Sequence, residues 1–200
     1  MKLPCLLLLA SLCAACVPLY GRETKFDFHG EAPLAALSGE WNVVEVADAP
    51  SPPRAWMQQA ASPENTSNLA LCDSLAPRDA DLRVMLRPVE GALERGGGLV
   101  WRARDERNYY LACWNPLEKS VRAYKVVDGV HTQIASCELG AAPGWHRLRV
   151  WYLRDKIEVW LDQHSLGEFS DATFAAPGRI GLWTGADART QFDNLEIQEL

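Results

Sequence analysis

The sequence predicts an all-β protein, a sandwich or barrel of antiparallel strands, and three observations carry that reading. Short runs rich in Val, Ile, Tyr and Trp recur at close spacing from residue 40 onward. Asp128-Gly129 separates two such runs, and Gly tolerates the positive φ that a two-residue type I′ hairpin demands. Helical spacing of apolar residues is nearly absent. About ten strands without a helical stretch lead to two-layered or closed β architectures.

Taken in order, Glu40–Val46, Asn68–Cys72 and Asp81–Pro88 read as strands. Between the first two, Ala47–Asn68 carries Pro50, Pro52, Pro53 and Pro63, which predicts a surface excursion with a short strand near Trp56. The runs then come densely: Leu99–Arg104, Tyr109–Trp114, Ser120–Val127, Val130–Cys137, His146–Leu153, Lys156–Asp162, Arg179–Thr184 and Gln191–Gln198. Arg154-Asp155 forms a second tight turn.

Strand side chains alternate between faces, so each hairpin sorts its residues. Closing Asp128-Gly129 sets Tyr124 opposite Gln133 and Arg122 opposite Ala135, while a loop at Asn115–Glu118 sets Cys113 opposite Ser120 and Leu111 opposite Arg122. One face then holds Tyr110, Ala112, Trp114, Val121, Ala123, Val127, Val130 and Ile134, an expected core despite Lys125. The other holds Tyr109, Leu111, Arg122, Tyr124, His131 and Gln133. A four-residue loop at Asp105–Asn108 adds Arg102 and Arg104 to this mixed face; a three-residue loop adds Trp101 instead. In the next hairpin Leu148, Val150, Tyr152, Ile157, Val159 and Leu161 face inward, with Arg147, Arg149 and Trp151 opposite Asp162, Trp160 and Glu158 on the other side. Trp183 also points outward.

Of eight tryptophans, several therefore stand on non-core faces beside charged groups. Either another layer covers them, or they form a sugar-binding platform. Flat aromatic faces pack on the C–H faces of pyranose rings, while Arg, Gln and His take the hydroxyls.

Residues 1–16 have the build of a secretory signal: Lys2, an apolar Leu3–Leu12 too short to span a membrane, then Ala14 and Ala15. Cys16 directly after them predicts the acylated first residue of a bacterial lipoprotein, with plain secretion as the alternative. The chain is thus expected to be exported to the cell envelope and to meet the membrane only through a lipid anchor. Residues 17–39 read as a linker and first strand, and 40–200 as the domain. A formal charge of -6 argues against a nucleic-acid partner. Beyond the signal, Cys72, Cys113 and Cys137 lack any C-x-x-C spacing, so no zinc site is expected. Cys113 and Cys137 both align with Ser120 but two strands apart, about 10 Å, beyond the roughly 7 Å reach of a disulfide.

From Gly97 onward a series of motifs follows: Gly97-Gly98-Leu99-Val100-Trp101-Arg102, Asn108-Tyr109-Tyr110-Leu111, Val121-Arg122-Ala123-Tyr124-Lys125-Val126-Val127-Asp128-Gly129, Gly144-Trp145-His146-Arg147-Leu148-Arg149-Val150, Val159-Trp160-Leu161-Asp162, Gly178-Arg179-Ile180-Gly181-Leu182-Trp183-Thr184 and Phe192-Asp193-Asn194-Leu195. This string resembles the concanavalin A-like lectin/glucanase superfamily, close to laminin-G-like modules and nearest the bacterial 3-keto-disaccharide hydrolase-like domains. The resemblance implies an all-β, two-sheet antiparallel jelly-roll sandwich with one concave sheet. Relatives often carry a basic residue at the position of Cys113 and Lys at that of Gly185. Many also bind Ca²⁺ where the chain termini meet. Asp27 and Asp193 would supply carboxylates to such a structural Ca²⁺ site, the rival reading being two solvated strand-end aspartates. No other cofactor is implied.

Catalytic signals are sparse. The Glu-x-Asp-x-x-Glu strand of the superfamily's glucanases does not occur. Glu158 and Asp162 share a face about 13 Å apart by strand rise, too far for a retaining pair. Four scattered histidines match no metal or triad spacing. The expected function is non-catalytic carbohydrate binding, with Arg102, Tyr109, Arg122, Tyr124, Gln133, Trp151 and Trp160 meeting a glycan or polysaccharide. Two alternatives stand beside it: a structural or protein-interaction lipoprotein, and a glycoside-processing enzyme, which would need two carboxylates about 5–9 Å apart in a cleft.

Overall fold

The computed structural model describes residues 21–30 and 33–200, so the signal segment and Cys16 lie outside the described residues. The strands are β1 (Glu23–Phe26), β2 (Ala35–Ala36), β3 (Trp41–Glu45), β4 (Arg54–Gln58), β5 (Ser67–Leu71), β6 (Ala80–Glu90), β7 (Gly97–Asp105) and β8 (Asn108–Asn115). They continue as β9 (Ser120–Val127), β10 (Val130–Glu138), β11 (His146–Leu153), β12 (Lys156–Leu161), β13 (His164–Ser170), β14 (Arg179–Gly185) and β15 (Arg189–Glu199). Sheet I runs β13-β12-β11-β6-β15-β4-β3, with β1 also paired to β15; sheet II runs β10-β9-β8-β7-β14-β5-β2.

Every paired strand is antiparallel, and the two sheets bury one core between them. Sheet I contributes Leu82, Val84, Leu86, Leu148, Val150 and Tyr152; sheet II contributes Leu99, Trp101, Tyr110, Ala112, Val121 and Leu182. Trp101 links the layers, stacking on Tyr110 at 5.3 Å and on Tyr152 at 6.1 Å. This is the jelly-roll sandwich that the sequence resemblance implied. Two strands escaped the sequence reading: β2 is only two residues long, and β13 is a polar edge strand interrupted by Gly167 at φ +86, so neither carries much alternation.

The hairpin registers bring corrections. Asp128 and Gly129, at φ 51 and 83, set Val127 opposite Val130 and Tyr124 opposite Gln133 as expected. An irregularity between Gln133 and Ala135 then shifts the pairing, so Arg122 faces Ser136 rather than Ala135. Asn115 pairs with Ser120 across residues 116–119, so Cys113 faces Arg122 and Leu111 faces Tyr124. That is two residues from the expected register, and an even slip leaves every side chain on its face. Val127 and Val130, expected in the core, are 38% and 65% exposed because they sit at the hairpin tip.

Asp105 pairs directly with Asn108, and the slack is taken up by a bulge between Trp101 and Asp105, with Arg102 at φ 49. Trp101 therefore faces Tyr110 in the core, whereas both sequence options assumed an unbroken ladder. Cys113 and Cys137 are free, as is Cys72, but for a different reason than expected. Cys137 pairs with Val121 and packs against the core, while Cys113 stands on the opposite face of the sheet.

Candidate functional site

Directly opposed residues of antiparallel strands share a face, so the outward side of sheet II can be read row by row. One row runs Leu69, Trp183, Gly98, Cys113, Arg122 and Ser136. Small residues at its middle leave the row low between the indole and the guanidinium. To one side lie Ser67, Gly185, Asn115 and Ser120. To the other lie Leu71, Gly181, Val100, Leu111, Tyr124 and Gln133. A cavity of about 490 Å³ opens on this face, lined among others by Trp183, Tyr124, His131, Arg122, Asn115, Glu94, Glu118 and Ser67.

Beneath it, Leu69, Leu71, Val100, Tyr109, Leu111 and Cys113 form a second apolar cluster that makes the floor rigid. Trp183 Nε1 donates to Ser67 Oγ at 2.9 Å, which fixes the indole. Arg122 bonds Glu118 at 2.7 Å and donates to the Tyr124 hydroxyl at 3.3 Å. The Tyr124 and His131 rings meet edge to face at 5.9 Å. Partial desolvation beside the Tyr124 ring lowers the His131 pKa from its ordinary value. Burial also pushes the Cys113 thiol up to about 12, so the cysteine on the floor is a protonated, inert group.

Glu94 reaches the cavity from the β6–β7 loop, and this loop is held by one carboxylate. Asp187 accepts backbone N–H groups from Ala92 at 2.7 Å, Leu93 at 3.0 Å and Glu94 at 3.0 Å. Asn115 Nδ2 donates to Glu94 Oε2 at 2.6 Å. Gly185 makes room for the arrangement: a Cβ there would lie 2.8 Å from the Trp183 ring and 3.2 Å from Glu94 Cγ. The absent side chain thus keeps an indole and an acidic side chain close together.

Of the residues expected to bind, Arg122 and Tyr124 line the cavity. Tyr109 is on the same face but buried, its hydroxyl donating to Ser67 Oγ at 3.4 Å, so it supports the floor. Gln133 is exposed on the edge strand opposite Tyr124 and donates to Ser136 Oγ at 3.2 Å. Arg102 is elsewhere: the bulge turns it inside, 1% exposed. There it bonds Asp79 at 3.0 Å and the carbonyls of Arg78 and Phe174, over the Tyr152 ring at 5.0 Å. Trp151 and Trp160 lie on the outward face of sheet I, on the far side of the sandwich, where Arg149 covers Trp160 at 4.4 Å and grips Asp81. Local pattern marked both tryptophans as outward but could not say from which sheet. Glu94, Asn115 and Ser67 were missed; a lone carboxylate among the glycines of residues 91–98 was the available signal.

The proposed calcium pair has other partners. Asp193 accepts the backbone N–H groups of Ser51 at 2.6 Å and Asn194 at 2.7 Å, and Asp27 stands exposed beside His29. Among the described residues no group of three or more His, Cys, Asp or Glu is placed to hold a metal ion. His146 has a structural setting, with its ring nitrogens bonded to Asp162 and to the Ala142 carbonyl, each at 2.7 Å.

No protein-family model matches the sequence, and no curated protein matches it. Solved structures do match in shape. The carbohydrate binding module CBM66 from Bacillus subtilis is similar with a TM-score of 0.69 and 18% identity, over 82% of this chain and 94% of that one. The VIP36 exoplasmic/lumenal domain in its Ca²⁺/Man3GlcNAc-bound form is similar with a TM-score of 0.55 and 13% identity, over 80% of this chain and 83% of that one. The Crh5 transglycosylase in its apo form is similar with a TM-score of 0.60 and 10% identity, over 88% of this chain and 84% of that one. At such identities the likeness speaks of architecture alone, since one fold hosts many functions. The chain has the concanavalin A-like jelly-roll fold.

Proposed function

We propose that this is an exported envelope protein, lipidated at Cys16, whose jelly roll binds carbohydrate without catalysis in the cavity on sheet II. One observation carries the reading: aromatic groups of Trp183, Tyr124 and His131 share a cavity with the hydrogen-bonding groups of Arg122, Asn115, Glu94 and Ser67. A sugar ring needs that combination, a flat apolar surface for its C–H face and directional partners for its hydroxyls. The shape likeness to a carbohydrate binding module supports it.

A second reading, glycoside processing of the 3-keto-disaccharide hydrolase-like kind, gains from the presence of two carboxylates, Glu94 and Glu118, at the same cavity. A glycan array probed with the chain lacking residues 1–16, followed by turnover assays on each hit, separates the readings. We expect binding without turnover, and Arg122→Ala should weaken it with the melting temperature nearly unchanged. Arg122 is a partly exposed ion pair, of the kind worth about 0–1 kcal/mol. Binding unaltered by that substitution would move the site elsewhere; an array with no hit would favour a protein-interaction role.

A further inference from the structure

The cavity on sheet II has a charge asymmetry that points to one class of sugar. Both of its arginines are already engaged: Arg122 bonds Glu118 at 2.7 Å, and Arg95 donates to the Gly91 carbonyl at 2.8 Å. Glu94 is different. Its Oε2 accepts one bond from the neutral amide of Asn115, and Oε1 has no hydrogen-bond partner among the described residues. Among the described residues no cation pairs with it within salt-bridge distance, although the charge of Arg122 acts on it from farther away. The carboxylate stands beside the Trp183 ring, as their shared approach to Gly185 fixes, and so beside the surface on which a sugar ring would stack. Its backbone is immobilised by Asp187, so a ligand need not order the loop on arrival.

We propose that Glu94 is the specificity-determining residue of the cavity, and that the glycan bound there carries a free amino group, whose ammonium pairs with this carboxylate. The proposal rests on the carbohydrate reading above. An ammonium can take the open Oε1 as a charge-assisted bond, whereas a neutral hydroxyl gains less and a uronate is repelled. The groups facing Glu94 are Glu118 from the β8–β9 turn, Asp187 from the β14–β15 turn, Arg122 from β9 and Asn115 from β8. Burial first, then the charge of Glu118, raises its pKa, so acidification should neutralise it before an ordinary glutamate.

Calorimetry tests this with three probes, a glucosamine oligosaccharide, its N-acetylated counterpart and an oligogalacturonate, at a pH where the amine is protonated. The glucosamine oligosaccharide should bind best and the uronate worst. Glu94→Gln should weaken the amino probe about tenfold and the acetylated one markedly less, so that the preference between them is lost. In the unaltered protein, lowering the pH should erode affinity for the amino probe only, which tests the idea without any substitution. Equal affinities for the amino and acetylated probes, or a preference that survives Glu94→Gln, would overturn it. If none of the three binds while the array yields another glycan, this inference falls and the carbohydrate reading stands; if the array is also blank, both fall.

Discussion

At the scale of single residues, Arg102 teaches most. Sequence spacing offered it as a surface cation for a ligand, yet it is buried and its contacts are internal: a bond to Asp79, bonds to two backbone carbonyls, and a guanidinium over Tyr152. Removing one member of a buried pair strands the other in a low dielectric. Arg102→Met should therefore cost about 3–5 kcal/mol of stability while leaving glycan affinity unchanged. Parallel thermal melts and calorimetry check this; loss of binding at full stability would restore Arg102 to the site. The misplacement has a physical source. Alternation assigns faces only while the ladder is regular, and a bulge that sets residues 102–104 against Tyr109, with Arg102 at positive φ, breaks the count.

Elements were more legible than residues. Period-two alternation in β8, β9, β11 and β12 sorted the two faces correctly even where the register was off by two, because an even slip preserves faces. Alternation says nothing, however, about which hairpins share a sheet. Tyr124 and Trp151 were grouped for one site although their strands lie in different layers. The cavity also depends on the β6–β7 loop, which has no periodicity to read. Its order rests on Asp187, whose pKa is lowered by the amides of Ala92, Glu94 and Leu93. Asp187→Ala should free that loop: hydrogen exchange at those three amides should accelerate, with the melting temperature little changed and glycan binding weakened. Continued protection of the amides would show that the loop is held by other contacts.

For the molecule as a whole, one polar junction ties the layers. Asp171, just past β13 of sheet I, accepts bonds from Tyr110 at 2.6 Å and Lys125 at 2.9 Å, both of sheet II, and from the Thr173 backbone at 2.8 Å. Burial works against its charge, but bonds from Thr173, Tyr110 and Lys125 win and hold its pKa far below the ordinary 3.8. A depressed carboxylate stabilises the fold at pH values above its unfolded pKa, and that contribution is lost as pH falls toward the folded one. Asp171→Asn should thus lower stability at neutral pH and flatten its decline on acidification below about 4. Denaturant titrations across that range check this, and an unchanged acid slope would remove Asp171 from the account.

The position of β15 has a consequence in time. This strand is the shared partner of β1, β4 and β6, so Glu23, Trp56 and Leu86 all wait for residues more than 100 positions later in sequence. As the chain folds, β6 can meet β11 but keeps an open edge until β15 arrives. Such late closure places folding in the slow, roughly millisecond-to-second class. Until then the unpaired edge of β6, lined by Leu82, Val84 and Leu86, is a surface on which chains can aggregate.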